Sequence, residues 1–116
     1  MKVVIAGCRY YTNYEEAKSF INECLFEIKE DIIIVSGCAN GADLLGERYA
    51  AENGLKIERF PAKWNVFGRA AGPIRNKTMV DNSDMIICFW DYKSKGTKSL
   101  ILLAKKCNKK TIIKRI

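Results

Sequence analysis

Ile33-Ile34-Val35-Ser36-Gly37-Cys38-Ala39-Asn40-Gly41-Ala42-Asp43 decides the fold. A β-branched apolar run stops at a turn of glycines and other small residues, and a helical pattern begins at once. Strand, tight loop and helix in that order aim backbone N–H groups at an anion. Gly37 and Gly41 can take positive φ and leave room for a ligand against the backbone. The same residues also make an ordinary βα turn, and Asp43 also suits a cap role in the first helical turn. The flanking sequence has to separate these readings.

Upstream, Lys2–Ala6 is a first strand, and Gly7-Cys8-Arg9 follows it. Arg9 stands just past a strand end, where open α/β sheets place ligands; its alternative is a surface ion pair. Tyr10, Tyr11 and Tyr14 crowd the same loop, to stack on a base or to pad the turn. Thr12-Asn13-Tyr14-Glu15 reads as a capping box. Ala17, Phe20, Ile21, Cys24, Leu25 and Ile28 then form one apolar stripe, predicting a helix to Lys29 or Glu30. Asp31–Ser36, apolar on both faces, is the second strand.

Downstream, Ala42, Leu45, Tyr49 and Ala50 give a second helix its inner face, and Asn53-Gly54 ends it. Leu55–Phe60 is a third strand nearer an edge, stopped by Pro61. Ala62–Gly72 carries Trp64 and Phe67 among glycine and basic residues. Pro73-Ile74-Arg75-Asn76 opens a third helix, with Ile74, Met79 and Val80 inward and an end near Asn82. Asp84–Trp90 is the fourth strand, and Asp91–Thr97, holding Lys95-Gly96-Thr97, is a second small polar loop after a strand. Leu100, Ile101, Leu103 and Ala104 face the core from a fourth helix, and Thr111–Ile113 closes the sheet. The pattern βαβαβαβαβ calls for a five-stranded parallel sheet, order 3-2-1-4-5, with helices on both faces. The expected fold is one Rossmann-like three-layer α/β domain over residues 1–116. Arg9, the glycine loop and the Lys95–Thr97 loop then converge at the switch point between the first and fourth strands.

The 116 residues are 48% hydrophobic, which argues against disorder. No apolar run reaches the roughly 20 residues of a membrane span, and the N-terminus reads as a strand and not a signal peptide, so a cytoplasmic location and no membrane partner are expected. The five cysteines include no Cys-x-x-Cys and the chain has no histidine. A disulfide framework, a metal site and the usual catalytic triads are therefore not expected. Cys24 and Cys88 read as core thiols, while Cys8 and Cys38 both follow strands and are expected near the site. Residues 1–60 hold 7 basic and 10 acidic side chains; residues 61–116 hold 13 basic and 3 acidic. That asymmetry suits an anion, either a nucleotide or nucleic acid. No aromatics interleave with Lys105, Lys106, Lys109, Lys110, Lys114 and Arg115, so the basic end reads as a solvated face and charged edge strand.

Four blocks, taken together, carry a resemblance: Ser36–Asp43, Phe60-Pro61-Ala62-Lys63-Trp64, Ala71-Gly72-Pro73-Ile74-Arg75-Asn76-Lys77-Thr78-Met79 and Lys95-Gly96-Thr97. In this order they resemble the YspA-like branch of the SLOG superfamily, relatives of the LOG phosphoribohydrolases. The resemblance implies a Rossmann-like fold and a nucleotide-derived ligand. It implies phosphates held by the Gly37–Asp43 and Gly96–Thr97 loops, with Arg75 and Asn76 facing the ligand. It also implies a homodimer or homotetramer. Two positions depart from it. Leu100 stands where the hydrolytic branch keeps a glutamate, and Ser36 and Cys38 occupy a loop where a second glycine is common.

The expected function is binding of a nucleotide or NAD-derived, ADP-ribose-like ligand, as a sensor or a sequestering protein, with an antiviral signalling nucleotide among the ligands the resemblance implies. No catalytic residue, cofactor or metal is expected. The ligand-binding residues expected are Gly7, Cys8, Arg9, Ser36, Gly37, Cys38, Ala39, Asn40, Gly41, Asp43, Trp64, Arg75, Asn76, Lys95, Gly96 and Thr97. The alternative is N-glycosidic hydrolysis, for which Asp43, Asp81 and Asp91 are the candidate carboxylates. A lower alternative is single-stranded DNA binding, which the scarcity of aromatics among the basic residues argues against.

Overall fold

The computed structural model describes residues 1–116. Five strands, β1 (Lys2–Gly7), β2 (Ile33–Ser36), β3 (Lys56–Arg59), β4 (Met85–Trp90) and β5 (Lys110–Arg115), alternate with helices. The main helices are α1 (Tyr14–Leu25), α2 (Ala42–Glu52), α4 (Ala71–Asp81) and α5 (Lys95–Lys106); a short α3 (Trp64–Phe67) and a 3-10 turn (Gly68–Ala70) precede α4. All strand pairs are parallel, in the order β3-β2-β1-β4-β5, as the sequence predicts. Val4 lies between Val35 and Ile86.

Central strands buried on both faces explain the unbroken apolar runs. Val3, Ile5, Ile34, Ile87 and Phe89 point to one side, where Ala17 and Ile21 of α1 and Ala42 and Tyr49 of α2 cover them. Val4, Ala6, Val35, Ile86 and Cys88 point to the other, against Met79 and Val80 of α4 and Leu100, Ile101 and Ala104 of α5. The edges, β3 and β5, end in exposed Lys56, Arg59, Lys110 and Arg115, which discourages further pairing.

Four local details differ from the sequence reading. The cap of α1 is Asn13, whose side chain accepts the Glu16 N–H at 3.2 Å. Glu16 is drawn off by the Tyr11 hydroxyl, which donates to it at 2.7 Å. Helix α1 stops at Leu25 because the chain tightens there: the Ile28 N–H donates to the Leu25 carbonyl, returning Ile28 to the core. Asp31 and Ile32 lie outside β2, and the Asp31 carbonyl accepts from the N-terminal amine. Ile74 is 41% exposed, because its position on α4 lies more than 100° around the helix from Met79 and Val80. No helix is long and apolar enough to cross a membrane.

Candidate ligand-binding site

A crevice opens at the C-terminal ends of the strands, beside the point where strand order reverses between β1 and β4. It has two lobes. The first, about 390 Å³, is walled by Gly7, Cys8, Arg9, Asp43, Trp64, Arg75, Asn76, Gly96 and Thr97. The second, about 300 Å³, is walled by Gly37, Cys38, Ala39 and Asn40, and shares Arg9, Ala39, Trp64 and Arg75 with the first. Thirteen of the sixteen expected residues meet here, from four segments far apart in the chain. Ser36, Gly41 and Lys95 do not line either lobe.

The loop after β2 spends much of its hydrogen bonding on itself. Ser36 is fully buried; its hydroxyl donates to Glu47 at 2.7 Å and accepts the Cys38 N–H at 3.0 Å. The Ala39 N–H donates to the Asp43 carboxylate at 3.2 Å, and the Ala42 N–H to the Cys8 carbonyl at 3.2 Å. Gly41 faces the neighbouring loop: at φ 78, an added Cβ would lie 2.3 Å from the Cys8 carbonyl oxygen and 2.4 Å from that of Arg9. Ser36 and Gly41 thus build the crevice without lining it. The N–H groups of Asn40 and Gly41 make no hydrogen bond within the protein.

Cys38 occupies the left-handed region at φ 64, where a side chain costs roughly 1–2 kcal/mol relative to glycine. Burial and the Glu47 charge push its thiol up, which disfavours the reactive thiolate. We expect Cys38→Gly to raise the unfolding free energy by about 1 kcal/mol in urea denaturation. An unchanged midpoint would mean that the thiol's packing offsets the backbone cost.

The N-terminus of α5 is the more open of the two loop ends. Its N-cap, Ser94, makes no side-chain cap. The Ser94 hydroxyl instead pairs with the Cys8 thiol at 3.2 Å. The first-turn N–H groups of Lys95, Gly96 and Thr97 make no hydrogen bond within the protein, and no acid stands in that turn. At α2 the first-turn acid Asp43 already places a carboxyl against the helix end. A helix end without its own acid leaves its partial positive charge for a bound anion. Ser94 and Ser99 were not singled out from the sequence; a serine just before a glycine-containing helix start is the N-cap signal that marks Ser94.

Two guanidiniums stand between the lobes. Arg75 donates Nη1–H to the Gly37 carbonyl at 2.6 Å and Nε–H to Asn76 at 2.9 Å. Of the five N–H donors an arginine carries, the rest remain for a ligand. Gly37 lets this approach happen, because a Cβ there would sit 2.8 Å from Arg75 Nη1 and from Asp43 Oδ2. Arg9 is exposed and makes no hydrogen bond or ion pair. Asp43, 4% exposed, is the carboxylate within the first lobe. Burial pushes it up to about 6, against the lowering effects of the Ala39 N–H and of Arg75. Asp81 is paired with Lys77 outside the crevice. Asp91, also outside the lobes, is held low by the Tyr10 hydroxyl and the Ser94 and Lys93 N–H groups. Leu100 is 3% exposed and forms part of the first lobe's wall.

The sheet order and the crevice at its switch point define a Rossmann-like α/β protein. The chain belongs to the YspA, cpYpsA-related SLOG family, whose family model matches residues 1–67. Membership suggests a nucleotide-related ligand. No curated protein matches the chain. Among solved structures, it is similar to DNA processing protein A from Helicobacter pylori, reported for its single-stranded DNA binding mode. The TM-score is 0.68 at 22% identity, over 97% of this chain and 64% of the other. The chain therefore spans a little under two thirds of that protein, and the likeness is one of fold.

Proposed function

We propose that this protein binds an anionic, nucleotide-derived ligand of the ADP-ribose kind and holds it intact, as a sensor or a sequestering protein. The observation that carries this reading is the uncapped α5 N-terminus opening into a crevice with two arginines. Against turnover stands the poverty of carboxylates. Expelling a base from a ribosyl carbon needs an acid near the sugar and a proton donor near the base. Leu100 stands where the resemblance puts the hydrolases' glutamate, and Asp43 is the only acid that lines the crevice.

The test incubates the protein with nucleoside monophosphates, NAD and ADP-ribose derivatives, then denatures it and identifies the small molecules. Intact ligand is the expected result; multiple-turnover release of free base would overturn it and make Asp43 the acid. In the same series Arg75→Lys is expected to lose at least about 1 kcal/mol of binding, since lysine cannot copy a two-pronged grip on phosphate. Unchanged affinity would reduce Arg75 to a brace for the Gly37 loop.

A second reading, single-stranded DNA binding, rests on an arrangement absent from the linear chain. Trp90 stacks on Tyr92 at 4.3 Å, and the Arg115 guanidinium lies 5.1 Å from the Tyr92 ring. Aromatic groups therefore do stand beside the basic edge strand, in space if not in sequence. The fold match to a DNA-binding protein supports the same reading. Oligothymidylate binding that falls steeply with salt and is not displaced by nucleotides would favour it.

A further inference from the structure

The two lobes share one ridge, formed by Arg9, Ala39, Trp64 and Arg75. The cations of the crevice are concentrated on that ridge: Arg9 and Arg75 are the basic residues lining either lobe. Beyond the ridge each lobe is uncharged except for Asp43. The second lobe continues over Pro61, Ala62 and Asn40, surfaces suited to a sugar or a base. The first continues over Met79 and Leu100, with the Ser94, Ser99 and Thr97 hydroxyls at its side. Each lobe alone is near the lower end of the roughly 300–1,000 Å³ typical of small-molecule sites.

A mononucleotide carries its charge at one end and fills one lobe. A charge-in-the-middle ligand, with neutral groups on both sides, matches two neutral lobes and a cationic divide. Arg75 keeps its outer N–H groups free, Arg9 keeps its whole fork free, and the unpaired N–H groups of Gly96 and Asn40 flank the ridge on its two sides. Trp64, 51% exposed and touching both lobes, offers an indole surface for a flat ring beside them.

We propose that the crevice is bipartite and takes a dinucleotide-type ligand, with its bridging diphosphate across Arg9 and Arg75 and one sugar or base half in each lobe. This deepens the proposed function and rests on it. The α5 end holds the half that a mononucleotide shares, and the Pro61–Trp64 side holds the half that it lacks.

Calorimetry with AMP and with ADP-ribose tests this on the full chain. Wild type is expected to bind ADP-ribose at least tenfold more tightly than AMP. Ala62 lines the second lobe and not the first, so Ala62→Phe and Ala62→Trp plug it. Either variant should lower ADP-ribose affinity at least tenfold and leave AMP affinity within about twofold, and retained AMP binding doubles as proof of folding. Ser99 lines the first lobe alone, and Ser99→Trp should weaken both ligands. ADP-ribose binding that survives both second-lobe plugs would overturn the bipartite site and leave the proposed function standing. ADP-ribose no tighter than AMP in wild type would overturn the bipartite site and leave of the proposed function only the binding of an anionic nucleotide. Loss of AMP in both plugs, with circular dichroism and a urea midpoint matching wild type, would also overturn the bipartite site, by merging the lobes. Failure of wild type to bind either nucleotide would sink both readings together.

Discussion

Replacing Gly41 by alanine is expected to destabilise the protein by about 3 kcal/mol or more, the sum of a left-handed backbone cost and an overpacked contact. The new methyl would meet two carbonyl oxygens of the β1–α1 loop inside 2.5 Å, at a φ of 78. Neither is the tip of a flexible side chain, so backbone must move. The loss should appear as a lower urea midpoint with an unchanged m-value. Gly96→Ala is the matched control. It adds a methyl with nothing within 4 Å, in the first turn of α5, where alanine is the better helix former by up to about 1 kcal/mol. Equal stability of Gly41→Ala and wild type would show that the two loops are not in contact and would unmake the crevice as described. The difference between these glycines is a difference of role. Gly41 docks the loop after β2 on the loop after β1, and Gly96 faces the open space of the first lobe.

Asp43→Asn is expected to change the pH dependence of stability by about 3 kcal/mol. Burial raises the folded-state value to about 6, against an ordinary 3.8. Between those values the native state binds more protons than the unfolded state, so stability falls as pH rises through the window. Below about 4 both states are protonated and the group contributes nothing. Above about 6 the full cost of a buried charge is present, about 3 kcal/mol at 1.36 kcal/mol per pKa unit. Asparagine keeps an oxygen for the Ala39 N–H and removes the charge. The variant should match wild type near pH 4 and gain on it by up to about 3 kcal/mol near pH 7, measured as paired urea curves. Groups common to both chains cancel in that difference. Among them are Arg75 and Arg9, which lower the Asp43 value, Glu47, which raises it, and the half-buried Asp91. A difference that stays flat from pH 4 to pH 8 would show that Asp43 is solvated and the first lobe more open than its 4% exposure indicates.

By itself, the sequence determined the architecture. Apolar runs apolar on both faces, one clean stripe per helix and short glycine turns admit a parallel three-layer sheet, and the strand order follows from that pattern. It also marked the neighbourhood of the site, because strand-end loops of such a sheet gather at one edge. These are local signals: periodicity encodes which face is buried, whatever covers it. Tertiary structure alone decided which side chains reach the crevice. Ser36 is diverted to Glu47, eleven residues on, and Arg75 reaches back thirty-eight residues to the Gly37 carbonyl. The burial that shifts Asp43 comes from elements packed around it, and Arg115 meets Tyr92 only because β5 pairs with β4. Ile74, apolar and in register by eye, is exposed because α4 turns another face to the sheet. A hydrogen bond or a buried charge depends on partners distant in the chain, and no spacing rule within one segment records where those partners come to rest.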